Sequence, residues 1–203
     1  MQKILLLLLS VGTLVGCHQT ANNHQKPEIQ HSTAGTENSD TTYLISGKNI
    51  AVQTQAVLAK NLVNAIQKGG TEYAIAFCNT QATVLTDSMA QVLHAKVKRV
   101  TDKPRNVANL ANDDELRIIE ALKKKMVQGN FPEPQTALVE GKIVGYYPIV
   151  TNAMCLQCHG NTQTNIMPAT LQKIQGIYPN DKATGYKENE LRGLWVVEMD
   201  KEK

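Results

Sequence analysis

The chain has 203 residues, 42% of them hydrophobic and 19% charged, with a formal net charge of +3. That is long enough for one folded domain with a tail, and too near neutral to predict a nucleic-acid partner. Only 4% of residues are aromatic, and four are cysteines, so the cysteines carry much of the chemical information.

The first segment decides the compartment. Lys3 precedes an apolar run from Ile4 to Leu9, and small residues follow to Gly16, as in a secretory signal peptide. The run is too short to span a bilayer, which takes about 20 apolar residues. Leu14-Val15-Gly16-Cys17 resembles the lipobox of bacterial lipoproteins, whose cysteine is acylated after cleavage. The expectation is a signal peptide over 1–16 and a lipid anchor on Cys17, facing the periplasm. His18 in place of Asp after the cysteine resembles the sorting pattern for the outer membrane.

Residues 17–44 are expected to be a tether. His18 to Thr42 is rich in Asn, Gln, Ser and Thr and holds too little apolar surface to offset its ordering entropy. His18, His24 and His31 are irregularly spaced within it and read as solvated residues, not a metal site.

The folded domain is expected over 45–203. Ile50, Val57, Leu58, Leu62, Ala65 and Ile66 recur at helical spacing until Gly69-Gly70, and a second amphipathic helix spans Glu72 to Val92 with Cys78 on it. Val97 to Thr101 alternates like a strand, and Pro104 to Asn109 reads as a polar loop. A third helix opens at Asp113, carries Leu116, Ile119, Leu122 and Met126 on one face, and stops at Gly129. Lys123, Lys124 and Lys125 near its end suit the helix C-terminus; an acidic redox partner is the other reading. Ala137 to Glu140 and Ile143 to Val150 read as a hairpin turning at Gly141-Lys142. Met154 to Gly160 holds a cysteine motif, Asn161 to Arg192 is long, polar and loop-rich with one short helical piece, and Leu194 to Met199 forms a last strand. Helices followed by a small antiparallel sheet make the class α+β.

Cys155-Leu156-Gln157-Cys158-His159 matches C-x-x-C-H, the c-type haem attachment signature. Two thiols three residues apart reach two vinyl groups, and His159 is placed to ligate the iron. The competing readings fit less well. No βαβ pattern surrounds the pair as in a thioredoxin, no second Cys pair completes a zinc site, and export supplies the compartment where c-type haem is attached.

Cys78 is then the remaining thiol in an oxidising compartment. It reads either as a small buried hydrophobe or as the distal thiolate ligand, which lowers the reduction potential where Met would raise it. His94 reads as a solvated helix cap and Met89, Met154 and Met167 as core filler, each with iron ligation as the alternative. Arg99, Arg105 and Arg192 are candidates for pairing with haem propionates, or else form surface ion pairs. Tyr147, Tyr178 and Tyr186 pack either on the macrocycle or in ordinary loops.

Several segments lie in an ordered set: Phe77-Cys78-Asn79, Arg99-Val100-Thr101 to Arg105-Asn106, Asn109, and Tyr147-Pro148-Ile149. The C-x-x-C-H motif follows, then Tyr178 to Tyr186 and Arg192-Gly193. Over residues 45–200 this resembles the family of single-haem c-type proteins with a PAS-like fold, catalogued as a domain of unknown function. The resemblance implies a PAS-like antiparallel sheet with a long haem-bearing loop, one covalent haem, and His159 and Cys78 as axial ligands. It also implies redox or small-ligand sensing (redox state, CO or NO). Enzymatic turnover is not expected, since no distal His-Arg pattern points to a peroxidase. The alternative is a one-electron carrier for a membrane respiratory partner.

Overall fold

The computed structural model describes residues 36–200; the signal segment, Cys17 and the three tether histidines lie outside these residues. The elements run α1 (Thr36–Val92), β1 (Lys96–Val100), a 3-10 turn (Val107–Asn109), α2 (Asp113–Val127), β2 (Gln135–Val139), β3 (Lys142–Val150), α3 (Ala153–His159), α4 (Pro168–Ile177) and β4 (Leu191–Met199).

The 57 residues of α1 are two helices joined at Gly69-Gly70, which leave helical geometry. Gly70 has φ of +70°, a conformation glycine adopts at little cost. The helix starts at Thr36, nine residues before the expected domain boundary at 45. Tyr43 and Leu44 pack against a cluster of sheet residues that includes Val97, Tyr147, Trp195 and Val197, so the end of the expected tether belongs to the fold. The reason is tertiary: composition disfavours a helix here, and partial burial of two side chains against the sheet supplies stabilisation.

The four strands form one antiparallel sheet in the order β1-β4-β3-β2. Glu140 (φ 49°) and Gly141 (φ 78°) make the β2–β3 turn, the two-residue left-handed geometry that matches strand twist; it sits one residue earlier than Gly141-Lys142. Alternation along the strands gives the sheet two buried faces. One face (Val100, Val144, Tyr146, Leu194, Val196) packs on Ile119 and Leu122 of α2. The other meets α1 through small residues, with Ala51 2% and Thr54 0% exposed. α2 is fixed by a reciprocal cap between Asn112 and Glu115, each worth about 1 kcal/mol. Lys124 and Lys125 lie in its last turn, and Lys123 pairs with Asp102 at 2.6 Å.

β3 and β4 are adjacent partners, yet residues 151–190 intervene between them. Thr151 ties the neck of this excursion: its hydroxyl donates to the Lys187 carbonyl at 2.6 Å, and its N–H donates to the Glu190 carbonyl at 2.9 Å. Two short helices fold within the excursion, α3 over the C-x-x-C-H motif and α4 as the one helical piece of the stretch from Asn161 to Arg192. Ile75 of α1, Ile174 of α4 and Ile166 just before α4 form a third buried cluster, which seats the excursion on the second half of α1. No helix among the described residues is long and apolar enough to cross a membrane.

Candidate haem-binding site

Cys155, Cys158 and His159 lie on α3 at i, i+3 and i+4, spacing that puts them on one helical face. Asn152 caps the helix, its side chain accepting the Cys155 N–H at 3.2 Å. Gly160 ends it; a Cβ there would lie 2.6 Å from the Leu156 carbonyl and from Asn165, so only glycine lets the chain leave this tightly.

His159 Nδ1 lies 2.8 Å from the Ala183 carbonyl. A carbonyl only accepts, so Nδ1 carries the proton and Nε2 keeps its lone pair. Burial holds the imidazole well below the ordinary histidine range, and the Arg105 and Arg192 charges lower it further against the opposing Ala183 bond. A neutral imidazole with Nε2 available is the form that binds a metal.

Cys78 lies on the second half of α1, near enough to this helix for its charge to be felt at Cys158. Ile75, one turn earlier, belongs to the cluster against which Cys158 and Tyr178 pack, and Cys78 is electrostatically coupled to Cys158, Tyr178, Arg99 and Arg105. Burial raises the Cys78 thiol, with Arg99 and Arg105 opposing. Burial likewise pushes the Cys158 thiol up to about 11. All three thiols are free and partly buried.

Three guanidinium groups surround this region. Arg105 is committed: Nε and Nη2 donate to Asp181 at 3.2 and 3.1 Å, and Nη2 donates to the Cys158 carbonyl at 2.6 Å. It therefore holds the motif backbone, and of its two readings the ion pair is the one present, largely buried and not on the surface. Arg99 lies 5.5 Å over the Trp195 ring, and no ion pair reaches it among the described residues. Arg192 lies 5.3 Å from the Tyr186 ring and donates from Nη1 to Thr101 Oγ1 and the Lys103 carbonyl. Burial lowers both Arg99 and Arg192 from the ordinary arginine value. Neither is a surface ion pair.

Arg192 Nε and the Tyr186 hydroxyl are buried without a well-formed hydrogen bond, although the two side chains lie close enough to favour each other, and Tyr186 stands edge-on to His159 with ring centroids 6.4 Å apart. Two partly buried guanidinium groups that no carboxylate salt-bridges among the described residues, beside a neutral imidazole, suit an anion with several acceptor oxygens. Haem meets that demand through its two propionates. The donor set, two thiols and one histidine on α3 with a thiol on α1 nearby, fits its vinyl groups and axial positions. Among the described residues no group of three or more metal-ligating side chains could hold a free ion instead.

The remaining candidates separate cleanly. His94 is exposed at φ 50°, a helix-end residue. Met154 and Met167 are 37% and 68% exposed and are not core filler: they border the motif on a surface that the apolar cores do not reach. Tyr147 belongs to the sheet core and donates to the Leu44 carbonyl at 3.2 Å. Asp181 and Ala183 were not among the candidates; the aspartate two residues before the alanine whose N–H it accepts was the available signal.

Fold and site together define an α+β domain of PAS-like architecture with a C-x-x-C-H helix inserted between two sheet strands. The sequence matches the Tll0287-like family over residues 22–199, and the chain belongs to that family. Among solved structures it is similar to the cyanobacterial heme-protein Tll0287, with a TM-score of 0.55 at 18% identity. That likeness covers 75% of this chain and 94% of the other and speaks to the fold. No curated protein matches the chain.

Proposed function

We propose that this is an exported, lipid-anchored c-type haem protein that responds to redox state or to a small diatomic ligand. Cys155 and Cys158 hold the haem covalently, His159 is its proximal ligand, and Cys78 is a replaceable distal ligand. The observation that carries the reading is the gathering of the α3 face, Cys78, the Tyr186 hydroxyl and the guanidinium groups of Arg99 and Arg192, which no carboxylate salt-bridges among the described residues. Membership of a family named for a heme protein supports it. Haem supplies one-electron chemistry and two axial coordination positions. The chain supplies a fixed imidazole on one element and a thiol on another. Because Cys78 sits beyond the Gly69-Gly70 break, its release would be felt by a helix that also covers the sheet. Anchoring at Cys17 rests on the sequence segment Leu14–Cys17, and an outer-membrane location facing the periplasm on His18 after it.

Exposure of Met154 and Met167 beside the motif favours a second reading, a one-electron carrier that docks a partner there. Spectra of the oxidised and reduced protein with and without CO decide between them. A sensor forms a CO adduct once reduced, whereas a carrier keeps both axial ligands and an unchanged reduced spectrum.

A further inference from the structure

The loop from Tyr178 to Tyr186 wraps the end of α3. Gly185 N–H donates to the Gly160 carbonyl at 2.8 Å and Tyr186 N–H to the His159 carbonyl at 3.0 Å, while Lys182 N–H reaches the Pro104 carbonyl at 3.1 Å. One carboxylate stands at the centre of this wrap. Asp181 Oδ1 accepts the Ala183 N–H at 2.9 Å and Arg105 Nε at 3.2 Å; Oδ2 accepts Arg105 Nη2 at 3.1 Å. The two side chains are only 9% and 11% exposed.

Both arms of that carboxylate end at His159. Through Ala183 it holds the residue whose carbonyl takes the imidazole Nδ1 proton. Through Arg105 it holds the carbonyl of Cys158, the residue just before His159. We propose that Asp181 is a positioning residue that sets the orientation and donor strength of His159, working through Ala183 on one side and Arg105 on the other. It touches neither the imidazole nor any metal. A partner on the non-ligating nitrogen fixes the ring and raises its basicity, and a stronger donor favours the ferric iron. Loss of the carboxylate frees Ala183 to turn its carbonyl away and leaves Arg105 without its counter-charge. The inference rests on the haem reading above.

The test uses the full haem-loaded protein and the substitutions Asp181→Ala, Asp181→Asn and Arg105→Lys. Two readouts are followed: the reduction potential, and solvent exchange of the His159 Nδ1 proton by NMR. Asp181→Ala is expected to keep its covalent haem, shift the potential upward, and speed exchange by about tenfold, the effect of one weakened hydrogen bond. Asp181→Asn retains an oxygen for the Ala183 N–H and should move both readouts in the same direction but less. Haem-loaded variants with unchanged potential and exchange overturn the proposal. If Asp181→Ala does not fold, Asp181→Asn and Arg105→Lys carry the test by the same criterion. An unsubstituted protein without covalent haem removes the haem reading and this proposal with it, a failure distinct from unmoved variants.

Discussion

Replacing Arg99 by Met should act with opposite sign on the haem-free and haem-loaded proteins. Met keeps most of the stem volume and removes the charge. What is lost is the stacking of the guanidinium on Trp195 at 5.5 Å, about 1 kcal/mol at a partly desolvated site. What is relieved is the cost of burying a cation that no carboxylate compensates among the described residues, the same burial that lowers its pKa. Taking that relief as about 2–3 kcal/mol for a partly water-accessible group, the haem-free protein gains about 1–2 kcal/mol. At about 2–4 °C per kcal/mol for a domain of this size, Tm rises by about 2–8 °C. With haem attached the cation has a propionate, and removing one member of a buried pair costs about 3–5 kcal/mol. The haem-free protein, made in a host without the attachment machinery, should hold its fold, because both sheet faces are packed by the chain's own residues. Urea and thermal unfolding of both forms read the result. Equal destabilisation of the two forms would refute the reasoning and leave Arg99 as packing alone.

Cys78→Ala should raise the reduction potential, open the distal position to CO and remove the thiolate signature from the oxidised spectrum; a spectrum and potential identical to the unsubstituted protein would make Cys78 mere core packing. Leu194→Ala, at a position 0% exposed between β1 and α2, should cost about 2–5 kcal/mol in urea unfolding while the covalent haem is retained. Cys17→Ser should release the protein to the soluble fraction with its haem, and continued labelling by radioactive fatty acid would count against the lipobox.

Much of the architecture follows from periodicity. The two halves of α1, the capped start of α2, the β2–β3 hairpin and the strand containing Trp195 each show a local pattern that tertiary packing then uses. The start of α1 at Thr36 shows none, because Thr, Asn and Ser there argue against a helix and only the docking of Tyr43 and Leu44 decides it. At the site, the C-x-x-C-H spacing is legible because thioether chemistry dictates it. The division of labour among the arginines is not. Arg105 differs from Arg99 and Arg192 only in having Asp181 opposite it, 76 residues away, a pairing that no short-range pattern encodes. Met154 and Met167 misled for a related reason: apolar side chains read as core until the fold puts them on the surface.

Covalent attachment is the most direct test of the central claim. The protein is purified from a host with the c-type attachment machinery, denatured and extracted with acidified organic solvent. The account predicts that the haem stays with the protein and that Cys155→Ser together with Cys158→Ser abolishes it. Haem released by the extraction, or retained by the doubly substituted protein, would contradict it.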